Sequence, residues 1–145
     1  MSVKQFEDLE IWKESRRLTK EIYRLTKREK FWKDFALCGQ VQRAATSIMS
    51  NIAEGFERGG NQEFTQFLYV AKGSCGEVRS QIYVAIDQGY LSEDEAEELI
   101  KSFRRLSSMI SNLITYLRKS GMKGEKFTGS TRPSQRTRTT ERLHL

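Results

Sequence analysis

Lys13, Arg17, Lys20, Arg24 and Lys27 recur at intervals of four and three residues. On an α-helix that spacing lines them along one face, and Arg16 and Arg28 thicken the row. The row lies two residues, or about 200°, out of phase with the apolar residues of the same segment. Cations at helical pitch can follow the phosphates of a nucleic acid, binding through charge and counterion release. Glu7, Glu14 and Glu21 lie nearer the apolar residues and can pair with the row, which weakens its field. A merely solvated outer face is the competing reading, and the pattern alone weighs the two evenly.

Other chemistry finds less support. Glu54 and Glu77 invite comparison with paired carboxylates, but carboxylate-bridged metal sites in helical bundles also use Glu-x-x-His, and the only histidine is His144, near the end of the chain. With Arg43 available, a buried or interfacial ion pair to Glu54 or Glu77 is the expected arrangement. Cys38 and Cys75 stand singly inside helical patterns and read as reduced core thiols. The pattern contains no phosphate-cradling glycine loop, no metal-ligand cluster and no nucleophile beside a histidine base. The expectation is a protein that is not an enzyme, with no catalytic residues, metal or cofactor.

The elements that position these residues are helices, because the apolar residues repeat every three to four positions. The first stripe is Ile11, Leu18, Ile22 and Leu25, with Ser15 in the gap and Leu9 and Trp12 widening it; the helix is expected over Phe6 to Arg28. The second is Leu37, Val41, Ala44, Ala45, Ile48 and Ile52. The third is Phe64, Phe67, Leu68, Ala71, Cys75, Val78, Ile82 and Ala85, and the fourth is Leu99, Phe103, Leu106, Ile110, Leu113 and Leu117. Gly59, Gly60 and Gly89 follow stripe ends and suit left-handed helix closure. Asn61 is a candidate cap for the third helix, and Ser92 with Glu95 has capping-box spacing for the fourth. Short links make consecutive helices antiparallel neighbours. The fold expected is all-α, an antiparallel up-down-up-down four-helix bundle over residues 1–120.

From Gly121 the stripe stops and Gly, Ser and Thr dominate, so residues 121–145 read as a disordered basic tail. Lys123, Lys126, Arg132, Arg136, Arg138 and Arg142 face only Glu125 and Glu141 there, which puts +4 of the formal net charge of +6 in the tail. The bundle itself is only weakly basic, so the distribution of charge on its surface matters more than the total. No apolar run reaches the roughly 18 residues of a membrane span, and Met1 to Asp8 lacks the features of a secretory signal, so a cytoplasmic location is expected.

Between Gln40 and Glu77 the chain reads Gln40-Val41-Gln42-Arg43-Ala44-Ala45, Ser47-Ile48, Asn51-Ile52-Ala53-Glu54-Gly55, Glu63-Phe64, Phe67-Leu68 and Ala71-Lys72-Gly73-Ser74 with Glu77. This ordered run resembles the four-helix bundle proteins also called 23S rRNA intervening-sequence proteins. The likeness extends through Leu9, Trp12, Ile22 and Tyr23 and through Tyr90-Leu91, covering roughly Phe6 to Leu117. It implies a bundle that assembles as a homopentamer, encoded in some bacteria within inserts of the large ribosomal RNA gene. A related branch resembles the accessory variability determinant of diversity-generating retroelements, which implies a reverse transcriptase and RNA as partners.

The residues of the run also have physical readings. Asn51 falls on or beside the buried stripe, where one amide can set register and assembly state. Gly73, Ser74, Cys75 and Gly76 form a thin patch within a helix that alanine would stabilise at either glycine, which suggests close approach by a helix of the same bundle or of an adjacent subunit, with a tolerated kink as the competing reading. Arg43, Asn51, Glu54, Gly55, Gly73, Ser74 and Glu77 are the candidate structural or assembly residues. Phe31, Trp32, Phe56, Tyr69 and Tyr83 are candidates for subunit contacts. The function expected is a non-catalytic nucleic-acid-binding oligomer, with RNA as the ligand and the face of Lys13, Arg16, Arg17, Lys20, Arg24, Lys27 and Arg28 as the binding surface. The alternative is a protein-interaction scaffold, for example an accessory subunit of a retroelement reverse transcriptase.

Overall fold

The computed structural model describes the backbone of residues 3–128 and the side chains of residues 3–121. A 3-10 turn at Phe6–Asp8 leads into α1 (Glu10–Thr26), a short α2 (Glu29–Trp32), α3 (Phe35–Glu57), α4 (Asn61–Asp87) and α5 (Glu93–Thr128). The four long helices form an antiparallel bundle in which each packs against its neighbours in the order α1, α3, α4, α5, and α5 returns to α1. The α3–α4 and α4–α5 seams are the most extensive, and the α1–α5 seam is the thinnest. No strand occurs among the described residues.

All four apolar stripes face the core. Leu18, Val41, Ile48, Ile52, Leu68, Val78, Ile82, Phe103, Leu106 and Ile110 are almost wholly buried, each contributing roughly 1.5–3 kcal/mol by leaving water. Phe67 and Leu113 are only half-buried, and Ile114 takes the core position next to Leu113. Cys38 and Cys75 are free, buried thiols, as expected.

The first helix is shorter than the expected Phe6 to Arg28. It stops at Thr26, whose hydroxyl donates back to the Tyr23 carbonyl (3.1 Å) and accepts from Gln42 Nε2 (3.0 Å). The chain then turns so that α2 can carry Phe31 into the core, where it stacks on Tyr90 at 5.2 Å. Asp34 starts α3 by accepting from the Leu37 N–H (3.1 Å), and its other oxygen accepts from the Tyr90 hydroxyl (2.9 Å). One aspartate thereby caps a helix and ties it to the α4–α5 link.

Gly89 has φ of 75° and closes α4 in a double-bonded Schellman turn, with Tyr90 N–H on the Ala85 carbonyl and Gly89 N–H on that of Ile86. Gly59 is likewise left-handed, but Gly60 is extended at φ of −104° and is itself the N-cap of α4. Asn61 is therefore the first helical residue rather than the cap. Ser92 and Glu95 form the expected capping box, with Ser92 N–H donating to Glu95 Oε2 (2.8 Å) and Glu95 N–H to Ser92 Oγ (3.3 Å).

Beyond the stripe's end at Leu117, α5 runs on past Gly121 to Thr128. Extending an existing helix adds one hydrogen bond per residue without a new nucleation cost, so two glycines do not stop it. The rest of the expected tail, residues 129–145 with His144, lies outside the described residues.

Candidate nucleic-acid interface

The outer face of α1 carries Lys13, Arg16, Arg17, Lys20 and Arg24, with Lys27 and Arg28 in the link just beyond it, and these cations fall into two sets. Lys13 pairs with Glu10 at 3.5 Å. Arg17 and Arg24 pair with Glu14 and Glu21, three residues back, with Nε to carboxylate distances of 2.8 and 3.2 Å. Those bonds hold the Glu21 carboxyl below its usual range, the hydrogen bond from Arg24 being the largest cause. Arg28 reaches Glu95 on α5 at 2.8 Å. Arg16, Lys20 and Lys27 are exposed and form no ion pair among the described residues. Glu14 and Glu21 thus neutralise alternate members of the ridge, and the effective cations are fewer than the sequence count.

An open cleft of about 490 Å³ lies on this face, lined by Trp12, Lys13, Arg16, Arg17 and Lys20, with Glu7 also at its wall. The 3-10 turn places Phe6 edge-on to the Trp12 indole at 5.1 Å, and the Arg16 guanidinium sits 5.8 Å from the indole centroid. Sequence reasoning assigned Trp12 only to widening the core stripe. The signal available was its i,i+4 spacing to Arg16, which puts ring and cation one turn apart.

The motif residues of the second and third helices gather elsewhere, along the outer side of the α3–α4 seam. Asn51 is half-buried, and its amide donates to the Ser47 carbonyl (2.7 Å) and hydroxyl (3.0 Å). Ser47 Oγ lies 3.0 Å from Ser74 Oγ across the seam. The expected buried ion pair of Arg43 with Glu54 or Glu77 is absent within the chain. Glu54 pairs with Arg58 at 2.9 Å, Glu77 accepts from Gln81 Nε2 at 3.4 Å, and the exposed Arg43 folds back over Gly39. The reason is register: Arg58 lies one turn from Glu54, whereas Arg43 is three turns away along the same helix.

The glycines also trade roles. A Cβ on Gly55 would lie 2.6 Å from Phe67 Cβ, so Gly55 is the point of close helix approach. A Cβ on Gly73 would meet nothing within 4 Å, and one on Gly76 only the tip of Arg79 at 3.9 Å, so no helix of the same subunit presses on either glycine, although Ser74 and Cys75 between them face the bundle. Gly73 is exposed, and Val70 and Val84 on the same side of α4 are 53% and 43% exposed. Of the aromatics proposed for contacts, Trp32 and Tyr83 are exposed, while Phe31 is core, Phe56 packs edge-on to Phe64, and Tyr69 is half-buried.

Among the described residues no group of three or more His, Cys, Asp or Glu side chains could hold a metal ion, and no helix is long and apolar enough to cross a membrane. The described features are those of a helical bundle with a mixed-charge outer helix. The chain belongs to the 23S rRNA-intervening sequence protein family, whose model matches residues 7–112. A crystal structure of a protein of unknown function from the S23 ribosomal protein family of Bacteroides thetaiotaomicron superposes with a TM-score of 0.66 at 20% identity, covering 72% of this chain and 97% of that one. That likeness bears on the fold. A comparison with functionally characterised proteins finds no match.

Proposed function

We propose that this protein is a non-catalytic, cytoplasmic RNA-binding bundle that works as a homopentameric ring, each copy presenting the outer face of α1. The observation that carries this reading is the set of cations with no carboxylate partner among the described residues, Arg16, Lys20 and Lys27, the first two lining an open cleft walled by Trp12. The association of the family name with 23S rRNA inserts supports RNA as the ligand. Three free cations on one subunit bind weakly, and repetition around a ring multiplies them through avidity. The exposed Val70, Gly73 and Val84 side of α4 supports a protein contact there, where copies would meet; the count of five follows the family resemblance. The same exposed side also supports the scaffold reading, with a reverse transcriptase as partner, in which the ring binds protein instead of RNA.

The deciding test is binding of structured RNA, single-stranded RNA and duplex DNA to the full chain and to a truncation ending at Thr128, over a salt series. Salt-sensitive RNA binding retained by the truncation is the expected result. Binding lost with the truncated segment would reduce the α1 face to a solvated surface, and no binding by the full chain would favour the scaffold reading.

A further inference from the structure

The cleft beside Trp12 carries a more specific assignment, which rests on the RNA-binding reading above. We infer that it is a stacking subsite for one unpaired nucleobase of a single strand, with Arg16 and Lys20 taking the adjoining phosphates. The indole is half-buried and braced by the Phe6 edge at 5.1 Å, so it is ordered before any ligand arrives. Its face already accommodates a flat, electron-poor group, the Arg16 guanidinium, at 5.8 Å. Arg16 is exposed and has no carboxylate partner among the described residues, so it can swing to a phosphate and leave the ring to a base at little cost.

Size and charge agree with this occupant. The cleft, about 490 Å³ and open to solvent, leaves room for one flat ring laid on the exposed side of the indole. Two of its cations are already satisfied, Lys13 by Glu10 and Arg17 by Glu14. Arg16 and Lys20 remain, four residues or about 6 Å apart along the helix axis. Glu7 lines the same cleft without an ion pair among the described residues; it repels phosphate but can accept a hydrogen bond from an amino group on a base edge. The ligand is therefore an unpaired base carrying an exocyclic amine, bound through its ring face. A duplex keeps its bases stacked inside and cannot offer one.

The test uses the full chain with Trp32→Phe, which leaves Trp12 as the single indole. Its fluorescence is titrated with a short oligoadenylate, an oligouridylate, an abasic oligonucleotide of equal length and a duplex RNA. Oligoadenylate should quench saturably, oligouridylate should bind more weakly, and the abasic strand and the duplex, which can draw Arg16 off the ring but place no base on it, should not quench. Trp12→Leu should lose roughly fivefold to a hundredfold in oligoadenylate affinity while binding the abasic strand and the duplex as before, and Trp12→Phe should retain most of the affinity. A melting curve on each variant checks the fold, and if the leucine variant is destabilised the quenching comparison and the phenylalanine variant decide. Oligoadenylate that binds without quenching, or no tighter than the abasic strand, would overturn the stacking subsite while leaving RNA binding intact. If none of these ligands binds and structured RNA fails as well, the RNA-binding reading falls and the subsite falls with it.

Discussion

Arg28, just beyond the end of α1, grips the Glu95 carboxylate in the first turn of α5 through two 2.8 Å contacts, and the same carboxylate accepts the Ser92 N–H. One side chain therefore caps α5 and fastens it to α1 across the thinnest seam of the bundle. Arg28 was expected on the nucleic-acid face; its charge is largely spent within the fold.

The first prediction follows from that pair. The Arg28 hydrogen bond, then the Ser92 N–H, pull the Glu95 carboxyl down to about 2 from an ordinary 4.5. A depressed carboxyl pKa stabilises the fold fully above the unfolded value, and the contribution is lost as pH falls from about 4.5 towards 2. Glu95→Gln should flatten that acid limb and cost about 1 kcal/mol at neutral pH, or roughly 3–5 °C in melting temperature. Thermal melts across an acid titration check both; an unaltered acid limb would mean that other carboxylates govern it.

Gly55 and Gly73 should respond oppositely to alanine. At Gly55 the added Cβ meets Phe67 Cβ at 2.6 Å, and neither atom can move without shifting a helix, so a loss of about 1–3 kcal/mol is expected. At Gly73 the Cβ enters space that is open within the subunit and the helix gains propensity, so the dissociated subunit should be stabilised by about 0.5–1 kcal/mol. Urea unfolding of both variants measures the contrast, and equal effects would refute the assignment of close approach to Gly55.

Cations with and without partners should differ in RNA affinity. Replacing Arg16, Lys20 and Lys27 by glutamine should reduce the salt slope of single-strand binding by about 2, at roughly 0.7 per phosphate contact. Replacing Arg17 and Arg24 should reduce it less, because those guanidinium groups must first leave Glu14 and Glu21. Slopes measured by fluorescence anisotropy over a salt series decide, and equal losses would mean that the intrachain pairs do not hold in the complex.

Self-association should depend on the outer side of α4. Val70→Glu together with Gly73→Arg introduces charge where the subunit has no packing of its own, so helical content by circular dichroism should be unchanged. The assembly should fall to single subunits in sedimentation velocity, and RNA affinity should drop with the lost avidity. Unchanged sedimentation would move the subunit contact to another face.

Cys75 should be inert to thiol reagents in the native protein. Burial pushes its thiol up to about 12, against which the Arg79 and Lys72 charges act only weakly. A raised pKa stabilises the fold below the unfolded value near 9 and ceases to do so as pH rises towards 12, so alkaline stability should decline over that window. Labelling with a chromogenic disulfide in native buffer and in denaturant reads this directly; fast native labelling would indicate that α3 and α4 open locally.

Much of the fold was legible because helical periodicity is a local property. The stripes Ile11 to Leu25, Leu37 to Ile52 and Leu99 to Leu117 name the core directly, and the Ser92–Glu95 box marks where α5 begins. The break at Thr26 was not legible, because it depends on Gln42, sixteen residues on, and on a place in the core for Phe31. The Asp34 cap, three residues before the stripe that opens at Leu37, was a local signal left unread, while its second bond, to Tyr90, depends on the fold.

The sequence by itself determined that this chain is a four-helix bundle, that short links make neighbouring helices antiparallel, and that one helix carries a row of cations away from its apolar stripe. Each follows from spacing along a single helix, where neighbours in space are three and four residues apart. Only the tertiary structure decided which cations remain free among the described residues, that Gly55 and not Gly73 is where two helices of the subunit touch, and that Arg28 serves Glu95. Those outcomes depend on rotamer reach and on distances between helices, which a repeat of apolar residues along one chain segment does not encode.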